Sequence, residues 1–86
     1  MDPIDRKELP MNEKVLEDKR RFLKAFENAL IQDERSYVKD IALRYVPEHD
    51  DEYIEIFFTG GGRRQIYATG NSNYANAKEI LKAVYE

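Results

Sequence analysis

The sequence predicts an α+β fold: a two-layer α-β-β-β-α sandwich in which a three-stranded antiparallel meander carries two helices packed on one face. Three observations predict it. Residues 13–33 place apolar side chains at helical spacing, residues 37–69 hold three alternating segments broken by turn residues, and residues 71–86 return to helical spacing. Two amphipathic helices must bury their stripes, and the apolar side of the alternating segments is the one surface large enough to receive them.

Residues 1–11 are expected to form an N-terminal arm ahead of a single domain spanning residues 12–86. Asp2 and Pro3 suit a short turn there, which Pro10 ends by forcing its predecessor out of helical geometry. The first helix is predicted over residues 13–33 with Asn12 as its N-cap. Val15, Leu16, Phe22, Leu23, Phe26, Ala29 and Leu30 form its apolar stripe, crossed by Lys19. Lys19, Arg20, Arg21 and Lys24 are the densest basic cluster in the chain. They read as a solvated helix face neutralised by Glu13, Glu17, Asp18 and Glu27, with Glu17 pairing Arg21 one turn on.

Strand one is predicted over residues 37–46, with Ile41, Leu43 and Tyr45 on one face and Ala42, Arg44 and Val46 on the other. Pro47 ends it, and the acidic connection EHDDE leads to strand two over residues 53–59 and strand three over residues 63–69. Around the three glycines, Thr59 facing Arg63 sets Ile56 against Ile66 and Ile54 against Ala68. Tyr45 facing Ile54 likewise sets Leu43 against Ile56 and Arg44 against Glu55, so each pairing keeps the apolar side chains together. Gly70 breaks the strand. Asn71 or Ser72 caps the last helix, whose buried stripe is expected to be Tyr74, Ala77, Leu81 and Val84, with Ile80 and Tyr85 at its edges.

This element order resembles that of double-stranded-RNA-binding domains, in which the second helix begins after a glycine with a basic motif. The corresponding stretch here, TGNSNYANAKEILKAV, has Lys78 and Lys82 but no lysine pair at the helix start. The first helix is also longer than that family favours. The resemblance is one of topology rather than motif, and element order alone assigns no function.

Composition narrows the function classes. At 86 residues with 42% hydrophobic and 36% charged content, the chain suits one thin domain with much surface. It has no apolar run of about 18 residues, as a membrane helix needs, and MDPIDRKELP has no apolar signal region. Zero cysteines exclude disulfides, thiol catalysis and cysteine-bound zinc, and a cytoplasmic address is expected. The net charge of −3 is unevenly spread: −1 over residues 1–35, −3 over 36–52, +1 over 53–69 and zero over 70–86. Nucleic-acid binders concentrate positive charge because phosphate contacts dominate their affinity, and this balance disfavours them.

The candidate site is the sheet face turned away from the helices, carrying Arg44, Val46, Tyr53, Glu55, Phe57, Arg63, Gln65 and Tyr67. Tyr53, Phe57 and Tyr67 are the expected apolar anchors, and Arg44, Arg63 and Gln65 set orientation, because aromatic and arginine side chains are the usual energetic centres of protein interfaces. The reading is a small non-enzymatic binding module that uses this open face for homodimerisation or a protein partner. The alternative is a nucleic-acid accessory protein that stacks bases on the same aromatics beside Arg63, Arg64 and the basic helix cluster.

Other motifs carry less. GGGRR offers a backbone anion site, but a strand follows it and no GK[ST] does, so it is not a phosphate loop. GNSN is an ordinary helix cap. The loop residues Glu48, His49, Asp50, Asp51 and Glu52 lack calcium-loop spacing. No nucleophile elbow, enclosed acid pair or dinucleotide fingerprint occurs. An enzyme, a cofactor, a metal, a small-molecule substrate and a membrane partner are accordingly not expected.

Overall fold

The computed structural model describes residues 11–86, with side chains from residue 13 onward; the expected arm, apart from Met11, lies outside the described residues. Helix α1 runs Met11–Ile31, so Asn12 falls inside the helix and does not cap it. The helix stops short of residue 33 because Asp33 is extended and its side chain accepts a hydrogen bond from the Arg35 backbone at 3.1 Å. That bond starts a 3-10 turn over Glu34–Ser36. Ser36 then joins helix to sheet. Its Oγ donates to the Leu30 carbonyl at 2.6 Å and accepts from the Val38 amide at 3.1 Å. Tyr37 is left-handed (φ 58), which delays the first strand to Val38.

The inward face of α1 is Leu16, Lys19, Leu23, Glu27 and Leu30, a stripe in which two charged residues are as buried as their apolar neighbours. Phe22 and Phe26 stack at 5.7 Å and flank it. Val15 and Ala29, expected in the stripe, are exposed. The difference has a physical cause: Lys19 and Glu27 each find a partner in the sheet, which makes their burial tolerable. Lys19 Nζ lies 2.7 Å from Glu52 Oε1, and Glu27 Oε2 accepts from the Ile41 amide at 2.9 Å.

Strands β1 (Val38–Val46), β2 (Asp51–Phe58) and β3 (Arg63–Tyr67) form one antiparallel sheet in that order, with two helices completing the expected α+β architecture. Both registers differ from expectation by two residues. Leu43 faces Ile54 and Arg44 faces Tyr53, while Ile54 faces Ile66 and Ile56 faces Arg64. The turns decide this. At the glycine turn, the Phe58 amide donates to Gly62 O and the Gly61 amide to Phe58 O, both at 2.9 Å, so residues 59–61 form the loop. Gly61 takes the left-handed position (φ 97), the geometry of a three-residue hairpin loop ending in a bulge. At the acidic turn Asp50 is left-handed (φ 55), and β2 begins at Asp51. A shift of two preserves side-chain parity, so the strand residues keep their expected faces from Asp40 onward, while an irregularity between Val38 and Asp40 turns Val38 into the core. The expected opposition of Arg44 and Glu55 is lost.

Ile54 and Ile56 at the centre of β2 are completely buried among Leu23, Leu30, Val38, Ile41, Ala68 and Ile80. Helix α2 (Asn73–Tyr85) is capped by Ser72, whose side chain accepts from the Ala75 amide at 3.1 Å. Its buried line is Asn76 and Ile80, not the expected Tyr74 and Leu81, which are 74% and 42% exposed. The Tyr85 hydroxyl donates to Asp33 at the end of α1. Tyr74 and Leu81 share the helix flank of Tyr85, which lies outside the core while Asn76 and Ile80 are buried.

Candidate functional site: the open face of the sheet

Strand pairing assembles the open face in rows. Arg44, Tyr53 and Tyr67 lie side by side across the three strands; so do Ala42, Glu55 and Gln65, and so do Asp40, Phe57 and Arg63. All six expected binding residues, Arg44, Tyr53, Phe57, Arg63, Gln65 and Tyr67, therefore share one surface. Tyr53 and Tyr67 meet edge to face at 5.5 Å, a geometry in which the positive rim of one ring meets the negative face of the other. Tyr67 is 59% exposed, whereas Tyr53 and Phe57 are partly shielded, so the face offers one prominent ring backed by two recessed ones.

Polar contacts fix these groups. The Tyr67 hydroxyl donates to Asp51 Oδ1 at 2.9 Å, and Thr69 Oγ1 donates to the same oxygen at 3.2 Å. Arg63 lies 3.7 Å from Glu55, taking the partner that sequence pairing assigned to Arg44. Asp40 and Asp51 also belong to the face, beyond the residues the sequence assigns to it. Their signal is parity: Asp40 lies two residues before Ala42 inside the expected first strand, and Asp51 two before Tyr53 in a second strand that begins earlier than expected. With Glu55 they give the face three carboxylates against the guanidiniums of Arg44 and Arg63.

The other candidates separate. Of the basic helix cluster, Lys19 is buried on Glu52, Arg21 pairs with Asp18 at 3.0 Å rather than with Glu17, and Lys24 lies 3.3 Å from Glu27. Helix α2 has Lys82 in its last turn and no basic residue at its start. In the acidic loop the Tyr45 hydroxyl donates to Asp50, and His49 is exposed. Among the described residues no three His, Asp or Glu side chains gather as metal ligands, and no helix is long and apolar enough to cross a membrane.

Two shallow grooves run where the helix layer overhangs the outer strands. One, about 240 Å³, is lined by Arg20, Leu23 and Lys24 of α1 with Ile41, Ala42 and Leu43 of β1. The other, about 350 Å³, lies between β3 and α2 and includes Arg64, Ile66, Glu79, Lys82, Ala83 and Glu86. Compared with protein-family models, curated proteins and solved structures, the chain matches none of them.

Proposed function

We propose that this protein is a non-enzymatic binding module of the cytoplasm that uses the open face of its sheet to hold a protein partner or a second copy of itself. The observation that carries the reading is that the rows Arg44–Tyr53–Tyr67 and Asp40–Phe57–Arg63 share one face, on either side of the row Ala42–Glu55–Gln65. It places aromatic rings on both sides of a polar middle row, among charges of both signs, and aromatic and arginine side chains are the usual energetic centres of protein interfaces. Three carboxylates on the face weigh against phosphate, and so does the internal neutralisation of most of the basic cluster on α1. The absence of cysteine supports the cytoplasmic address.

Phe57→Asp tests the reading. It puts a carboxylate in place of an anchoring ring inside any complex formed on this face, and it is expected to abolish binding to a partner or face-to-face self-association. Retention of full affinity by Phe57→Asp overturns the assignment. Binding of labelled oligonucleotides that weakens steeply with added salt transfers the face to nucleic acid.

A further inference from the structure

The two edges of the sheet are not equivalent. Main-chain groups of alternate strand residues point to opposite sides. On β3, the Gly62 carbonyl and the Ala68 amide are bonded to β2 at 2.9 and 2.8 Å, so the even-numbered residues face inward. Arg63, Gln65 and Tyr67 therefore turn their amides and carbonyls outward. The strand holds no proline, and all of it but Ile66 is exposed. On β1 the same argument makes residues 41, 43 and 45 outward, and there Glu27 has already taken the Ile41 amide.

We propose that β3 pairs antiparallel with β3 of a second copy of this chain, about a two-fold axis through Gln65, giving a continuous six-stranded sheet. Register and charge select this arrangement together. Centred on Gln65, all three outward residues bond: Gln65 to the second Gln65, and each Arg63 to the opposite Tyr67. Sliding the strands by two residues opposes Arg64 to Arg64 or leaves Arg63 without a partner strand. In the centred register no like charges oppose each other.

Both faces of the junction are complementary. On the open face, each Arg63 guanidinium lies beside the opposite Tyr67 ring and the Asp51 carboxylate that the ring's hydroxyl holds. On the helix side, each Arg64 comes opposite Ile66, beside a groove whose lining mixes Glu79 and Glu86 with Lys82 and that chain's own Arg64. Arg64 makes no ion pair among the described residues, so its guanidinium is available to an acidic side chain across the junction. The pairing rests on the open-face reading only in its consequence, since it joins two such faces into one surface.

Sedimentation of wild type, Gln65→Pro, Arg64→Glu and Phe57→Asp tests it. By strand parity the Gln65 amide bonds nothing among the described residues, so proline at this edge position leaves the monomer sheet intact, which far-UV circular dichroism checks. At high micromolar concentration wild type and Phe57→Asp are expected at twice the 10.2 kDa chain mass, and Gln65→Pro and Arg64→Glu at the single mass. Amide exchange of Arg63, Gln65 and Tyr67 in wild type is expected to slow as concentration rises. This second readout decides the matter should Gln65→Pro misfold. A monomeric wild type, or outward amides indifferent to concentration, overturns the pairing. A dimer that survives Gln65→Pro but is lost in Phe57→Asp also overturns it, and moves self-association to the open face.

Discussion

Replacing Glu27 by alanine tests the join between helix layer and sheet. The Glu27 side chain is 4% exposed, with one oxygen 2.9 Å from the Ile41 amide and the other 3.3 Å from Lys24 Nζ. Lys24 is largely solvated and adds little. A charge-assisted bond to a backbone amide contributes about 1.5–3 kcal/mol, the upper part of which reflects the unsatisfied amide left by removing its acceptor. Each buried methylene lost adds about 0.8 kcal/mol. Glu27→Ala is thus expected to destabilise by about 2–4 kcal/mol, a large share of the roughly 5–15 kcal/mol that holds a domain folded. For a chain of this size that lowers the melting temperature by about 9–30 °C. Glu27→Gln keeps the length and a carbonyl oxygen and loses only the charge, so it is expected to destabilise by about 1 kcal/mol. The assay is thermal or urea unfolding of the three proteins, with amide exchange at Ile41 as the local readout. If Glu27→Ala changes stability by less than about 0.5 kcal/mol, the level of an ordinary surface substitution, then Glu27 does not bond β1 and the reasoning is wrong.

Lys19 and Glu52 form the second cross-layer link, with side chains 9% and 14% exposed. Lys19→Met or Glu52→Met alone is expected to destabilise by about 3 kcal/mol, while the double variant recovers much of that loss, as a double-mutant cycle will read. Gly61→Ala is expected to destabilise by about 1–2 kcal/mol because of its positive φ, and Gly60→Ala to be near neutral, since neither strain nor neighbour opposes it; chemical unfolding distinguishes them. The Tyr85 hydrogen bond, then the Arg35 backbone amide, holds the Asp33 carboxyl below its ordinary 3.8, and the same bond raises the Tyr85 phenol above 10.0. The contact's contribution is therefore present from above the ordinary carboxylate range up to the ordinary phenol range. It is lost as pH falls through the lowered Asp33 value or rises through the raised Tyr85 value. Tyr85→Phe is expected to move the Asp33 carboxyl back upward in an NMR titration.

From Asp40 onward the face of each strand residue was legible because alternation has a period of two, and the aromatic site rests on nothing more; Val38 escapes it because the register slips by one between Val38 and Asp40. Register was not, because a slip of two leaves the apolar pattern unchanged: Ile54 can meet Ile66 or Ala68 with equal apolar agreement. What separates them is which glycine takes the left-handed position, a property of backbone geometry that three identical residues do not advertise. Lys19 and Glu27 were read as solvent-facing charges because hydropathy assigns burial by residue type. Their partners, Glu52 and the Ile41 amide, lie 33 and 14 residues away, beyond any local pattern. The α2 stripe failed for a related reason. Tyr74, Leu81 and Ile80 are all apolar, so hydropathy leaves the rotation of the helix degenerate.

The hydrogen bond from Ile41 to Glu27 also bears on how far an assembly can grow. A sheet with two free edges adds copies at both ends and has no reason to stop, which is the route to fibres. Here a strand approaching β1 must first displace a buried carboxylate from the amide it seeks. In the proposed pairing β3 is the recruiting edge, and a two-fold contact consumes it on both copies. Such a chain would count to two, with an obstacle at the other edge carried by one glutamate on a helix.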